Sequence, residues 1–97
     1  MLIGTMNHPG RDVVKEIEWI GSMGFEFIDL TLEPPLANVR RVDVGAIRSA
    51  LERNNLQVVG HTAYYLPLCN PFESIRRAAV DELRLCIEAF AKVGAPG

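Results

Sequence analysis

The side chains with the most chemical potential in this 97-residue chain stand at the ends of short apolar runs. His61 stands at the end of the run Leu56 to Thr62 and is followed by Thr62-Ala63-Tyr64. Glu33 closes the run Phe25 to Glu33, with Asp29 four residues before it, and His8 follows the opening run Leu2 to Met6. An imidazole at a strand end can ligate a divalent ion, with its second nitrogen fixed by a neighbouring acceptor. It can equally move a proton, since an unperturbed histidine titrates at about 6.5. The simplest alternative is a histidine that is only hydrogen-bonded at a strand end. Glu33 on the same rim is a candidate for gripping a substrate hydroxyl, against the alternative of an exposed loop carboxylate before Pro34-Pro35. Tyr64 is a candidate stacking surface and His8 a candidate rim contact. Asp29, deeper in its strand, is expected to be structural and to need a partner, and Asn7 to stabilise the turn after the first strand. No residue is identified as the catalytic base.

The other polar features carry less. Cys69 and Cys86 form no CxxC pattern and read as reduced thiols. Arg40-Arg41 and Arg76-Arg77 near the same rim are candidates for a phosphate, although a solvated surface accounts for them as well. Trp19 is expected between helices. The charge is -2, from 10 basic and 12 acidic residues, so nothing in the bulk composition advertises nucleic acid. No apolar run approaches the roughly 18–20 residues of a membrane span, and Met1-Leu2-Ile3-Gly4 has no signal-peptide character. The expected location is the cytoplasm.

These residues are positioned by an alternation of strands and helices. Leu2 to Met6 is a strand stopped by Asn7-His8-Pro9-Gly10. From Asp12, Val13, Val14, Ile17, Ile20 and Met23 recur at helical spacing, and Gly24 sits where a left-handed cap belongs. In the second strand Ile28, Leu30 and Leu32 take one face, and Phe27, Asp29, Thr31 and Glu33 the other. Asp43 opens a second helix with Val44, Ile47, Ala50 and Leu51 inside, closed by Asn54-Asn55. A third helix is predicted to start with Asn70 as N-cap, Pro71 at N1 and Glu73 at N3. It carries a face of Ile75, Ala79, Leu83, Cys86, Phe90 and Val93, and runs to Gly94.

The order β-α-β-α-β-α without hairpin signals predicts parallel strands joined by helical crossovers. The glycine-rich phosphate-binding patterns are absent, which disfavours a nucleotide-binding open sheet. A strand with one charged face fits a barrel, because a sheet covered by helices on both sides is apolar on both. The fold class is therefore α/β, a partial (βα)8 TIM barrel made of its first three βα units. A full barrel takes about 250 residues, roughly 31 per unit, so residues 1–97 are expected to be the N-terminal part of one such domain. Its open sheet edges invite self-association.

His61-Thr62-Ala63-Tyr64-Tyr65-Leu66-Pro67-Leu68-Cys69-Asn70-Pro71 resembles the H-A-P-Y-L-I-N-L-x-N-P stretch of the endonuclease IV family, matching at His61, Tyr64, Leu68, Asn70 and Pro71. More broadly, the chain resembles the xylose isomerase-like barrel superfamily, also called AP endonuclease family 2. The strand ending near Asn7-His8, the Gly24 to Leu30 passage and Val93-Gly94-Ala95-Pro96 all fit its outline. Leu30-Thr31-Leu32-Glu33-Pro34 is more like its isomerase and epimerase members. The resemblance implies a metal-dependent sugar or sugar-phosphate isomerase or epimerase acting by proton abstraction next to a carbonyl. His61, Glu33, Tyr64 and His8 would then face the substrate, and manganese or magnesium would be held by ligands beyond Gly97. By itself the 97-residue chain would bind no metal and be inactive. The endonuclease IV alternative makes His61 a zinc ligand and DNA the partner, in an AP endonuclease. A third expectation is a non-catalytic partial barrel.

Overall fold

The computed structural model describes residues 1–95. Three strands alternate with three helices: β1 Gly4–Met6, α1 Val13–Ser22, β2 Phe27–Leu32, α2 Val44–Arg53, β3 Gln57–Thr62 and α3 Glu73–Val93. The sheet order is β1-β2-β3 and both pairings are parallel. This is the fold class expected from the alternation, three βα units of a barrel wall.

Local chemistry sets most of the boundaries. Asp12 and Asp43 cap α1 and α2, each carboxylate accepting a backbone N–H three residues on, at 3.0 Å. α1 ends against Gly24, whose φ of 85° is the left-handed conformation that costs glycine least. Asn55, at φ 50°, plays the corresponding part after α2.

The start of α3 corrects the expectation for Asn70. The N-cap is Phe72, which has no capping side chain, and Glu73 is the first helical residue. Asn70 instead accepts from the Phe72 N–H at 2.9 Å, forming a turn before the helix. Trp19 and Ile75 also depart from expectation. Trp19 is exposed on the outside of α1, and Ile75 lies on the exposed part of α3.

One face of the sheet is covered. Ile28, Leu30, Leu32 and Val58 join Ile17 and Ile20 of α1, Ile47 and Leu51 of α2, and Cys86, Ala89 and Val93 of α3 in a single cluster. Burying a side chain the size of Ile28 or Leu30 contributes about 1.5–3 kcal/mol. The opposite face is open: Met6 and Val59, both of which flank Asp29 in register, are 50% and 44% exposed. Among the described residues, no helix is long and apolar enough to cross a membrane.

At Gly60 the Phe90 side chain of α3 packs against the sheet. A Cβ at Gly60 would overlap the Phe90 ring. Gly60→Ala is therefore expected to lower stability by about 1–3 kcal/mol through overpacking. Gly45→Ala, in α2, meets only an ordinary contact with Asp43 and is expected to be neutral or mildly stabilising. Urea midpoints of the two variants check both, and an unshifted midpoint for Gly60→Ala would contradict the placement of Phe90.

Candidate functional site

At the C-terminal end of the sheet four polar side chains from three strands connect. Met6 is the last residue of β1 to pair with β2. One residue later, the Asn7 carboxamide takes over from the backbone. Its Oδ1 accepts from the Thr31 N–H at 2.8 Å, and its Nδ2 donates to the Thr31 carbonyl at 3.2 Å. Asn7 and Thr31 are almost wholly inaccessible to solvent. Asn7 thus clasps β2, where a turn-stabilising role was expected.

Thr31 stands opposite His61 in the parallel register, so both side chains leave the same face of the sheet. Thr31 Oγ1 lies 3.0 Å from His61 Nε2, and His61 Nδ1 lies 2.9 Å from Asp29 Oδ1. A carboxylate only accepts, so the proton on Nδ1 points at Asp29. In the neutral ring Nε2 is then the acceptor, and the Thr31 hydroxyl donates to it. Both ring nitrogens are engaged. The His61 and Asp29 side chains remain 40% and 38% exposed, facing the open side of the sheet.

The partner that Asp29 needs is thus His61, reached because Asp29 and His61 sit one alternation apart across neighbouring strands. Thr31 and Asn7 are the members that residue type alone missed. The available signal was the position of Thr31 between Asp29 and Glu33 on the polar face of β2.

The other candidates lie apart from this group. Glu33 lines a cleft of ≈ 250 Å³ with Arg40, Tyr65 and Cys86, whose walls include neither His61 nor Asp29. His8 is exposed; its Nδ1 accepts from the Gly10 N–H at 2.9 Å, and its own N–H donates to Glu16 at 2.8 Å. Tyr64 is 96% exposed, with its ring edge-on to Tyr65 at 5.5 Å. Arg40 pairs with Glu82 of α3 at 2.7 Å, and Arg77 with Glu73 at 2.8 Å. Arg76 donates to the Asn70 and Pro71 carbonyls. A wider cavity, ≈ 750 Å³, opens toward the N-terminal ends of the strands and along β3, against Leu2, Phe27, Gln57, Val59 and Val93. Its charged groups, Arg48 and Glu52, pair with each other at 3.3 Å.

A divalent cation fits poorly on these residues alone. Among the described residues no three of His, Cys, Asp or Glu converge as ligands. His61 would have to give up its bond with Thr31 or Asp29 to offer a lone pair.

A parallel βα layer with helices on one face, and polar groups gathered at the C-terminal strand ends of the other, has the architecture of a TIM-barrel wall. The sequence profile of the xylose isomerase-like TIM barrel family matches residues 17–96, and the chain belongs to that family. No curated protein matches it by sequence search. Among solved structures, a 3-keto-D-glucoside 4-epimerase from E. coli in its apo form superposes with a TM-score of 0.77 at 22% identity, over 100% of this chain and 36% of that one. A D-psicose 3-epimerase crystallised in the presence of D-fructose gives 0.78 at 14% identity, over 98% and 35%. A D-allulose 3-epimerase from Methylomonas sp. gives 0.74 at 16% identity, over 98% and 35%. The chain thus spans about a third of the length of these epimerases.

Asn7→Ala strips two buried backbone groups of their partners, at about 1–3 kcal/mol each, so a loss of about 2–6 kcal/mol is expected in urea unfolding. The Cys86 thiol is pushed up from its ordinary 9.0, first by burial and then by the nearby Glu82 carboxylate. At neutral pH iodoacetamide should therefore modify the exposed Cys69 and spare Cys86, as read by peptide mass spectrometry. The folded state holds the Cys86 proton more tightly than the unfolded chain. Its contribution to stability is therefore complete below pH 9.0 and declines as pH rises past that value. Cys86→Ala should flatten that alkaline decline.

Proposed function

We propose that this chain forms the first part of the substrate-facing wall in a sugar isomerase or epimerase. The observation that carries the reading is the half-exposed Asp29–His61 pair, with His61 next to the C-terminal end of β3 and Asp29 within β2, in a chain of this family. TIM-barrel enzymes do their chemistry at that end of the strands. The three solved structures of similar fold described above are sugar epimerases.

The reaction is proton transfer next to a carbonyl. A base removes the proton from the carbon beside the C=O, and the electron pair forms an enediol as the carbonyl oxygen gains negative charge. Return of a proton to the other face of that carbon inverts it, and return to the neighbouring carbon isomerises the sugar. Residues of this chain bind and orient. Asp29 and His61 present a fixed polar edge, while Met6 and Val59 flank Asp29 with apolar surface suited to the C–H face of a sugar. Glu33, Tyr64 and His8 are outer contacts in this reading. The base would come from outside these residues, and so would ligands for a metal, since no three metal-ligating side chains converge among the described residues.

Of the four candidate phosphate-binding arginines, Arg40 and Arg77 are already paired with Glu82 and Glu73, and Arg76 with the Asn70 and Pro71 carbonyls. This favours an unphosphorylated sugar over a sugar phosphate or a DNA backbone, and leaves Arg41 alone of the four without a side-chain partner among the described residues. In heavy water, the intact protein supplied with manganese or magnesium is expected to incorporate deuterium beside the carbonyl of at least one sugar. The panel comprises D-fructose, D-allulose and their phosphate esters. His61→Ala is expected to reduce the exchange at least about tenfold, or about 1.4 kcal/mol in the barrier. No exchange with any member of the panel, together with zinc-dependent cutting of an abasic duplex, would replace this reading with the nuclease one.

A further inference from the structure

Both nitrogens of His61 are committed within the protein, Nδ1 to Asp29 and Nε2 to the Thr31 hydroxyl. The ring is therefore a poor direct partner for an incoming hydroxyl. The Asp29 carboxylate differs. Oδ1 accepts from His61, whereas Oδ2 has no hydrogen-bond partner among the described residues, and the side chain is 38% exposed on the open face.

We propose that Asp29 Oδ2 is the acceptor that takes a hydroxyl of the bound sugar, and that His61 is the positioning residue that holds Asp29 for it. The proposal rests on the carbohydrate reading above and moves the contact from the histidine to the carboxylate. Three features support it. An ionised carboxylate with one oxygen tied down offers its remaining lone pairs in a fixed direction. The residues beside it in register, Met6 and Val59, are apolar and half-exposed. A neutral ligand with hydroxyls and C–H faces meets both surfaces, whereas an ammonium group would gain nothing from the two apolar neighbours. The support behind Asp29 is rigid: His61 is held by Thr31, and Thr31 is held through its own backbone by Asn7. Only the last two links of that chain, His61 and Asp29, reach solvent.

The experiment is an NMR titration of the intact protein with D-fructose and D-allulose. It follows the Asp29 carboxyl carbon and the imidazole nitrogens of His61, first in the unmodified protein and then in Asp29→Asn. Asparagine keeps a carbonyl oxygen for His61 Nδ1–H but places an NH2 where the acceptor oxygen was. Before any sugar is added, the imidazole nitrogens should report the Nδ1–H tautomer in both proteins, with an unchanged amide fingerprint. With sugar, the Asp29 carboxyl signal should move saturably, and Asp29→Asn should weaken binding at least about tenfold, the scale of one hydrogen bond to a charged group. An Asp29 signal that stays still while His61, Glu33 or Tyr64 responds would overturn the proposal and leave the carbohydrate reading standing. So would Asp29→Asn binding as tightly as the unmodified protein. A protein in which none of these residues responds to either sugar would overturn both.

Discussion

Parallel pairing of β2 with β3, in the register that sets Thr31 opposite His61, decides which side chains can meet on the open face of the sheet. Cα partners in a parallel ladder send their side chains to the same side, and the next residues to share that side lie two positions away. Asp29, Thr31 and His61 are thereby brought within one hydrogen-bond network from two segments about thirty residues apart. A slip of one residue would turn His61 toward the helices and bring Gly60 to the open face. The register is held where a slip would cost most. Ile28, Leu30 and Val58 are buried on the helix side, and Phe90 sits against Gly60, where no side chain fits.

The same constraint explains why buried polar groups are tolerated beside the site. Asn7 and Thr31 are fully enclosed, and an unpaired amide or hydroxyl there would be strongly destabilising. Each finds a partner because β1 stops one residue short of the place where the β2 backbone still needs one. The Asn7 carboxamide presents a donor and an acceptor side by side, so it completes the Thr31 N–H and C=O as a neighbouring strand would. Aspartate lacks the donor and glutamine would have to fold back. The polar network is therefore part of the sheet's own hydrogen bonding, which ties the geometry of His61 to the integrity of β1.

Much of this was legible from residue order. Alternation in β2 separated the buried Ile28, Leu30 and Leu32 from Asp29 and Thr31, and the caps at Asp12 and Asp43 marked their helices. The lack of hairpin signals indicated parallel strands. What escaped was pairwise. Nothing local to Asn7 distinguishes a residue that finishes a turn from one that reaches across to strand β2. The start of α3 was misplaced because Asn70-Pro71 satisfies the capping rules on paper. The chain instead spends the Asn70 side chain on a turn around Phe72, and α3 begins with no side-chain cap. Trp19 was expected inside because of its size, yet it falls outside the stripe that Val13, Ile17 and Ile20 define on α1.

The two ends of the sheet divide their work in a way that bears on how the open face is used. At the N-terminal ends of the strands the surface is apolar and roomy, with Leu2, Phe27 and Val93 around a wide cavity, and its two charges neutralise each other. Toward the C-terminal ends both ring nitrogens of His61 and the hydroxyl, N–H and C=O of Thr31 each have a defined partner. A hydrophobic hollow tolerates many shapes, whereas a carboxylate held by a doubly bonded imidazole discriminates between hydroxyl positions, because a hydrogen bond weakens steeply with angle. Selectivity among sugars that differ only in the configuration of one carbon requires the second kind of surface. Under the proposed sugar reading, that favours Asp29, positioned by His61, over the more apolar cavity.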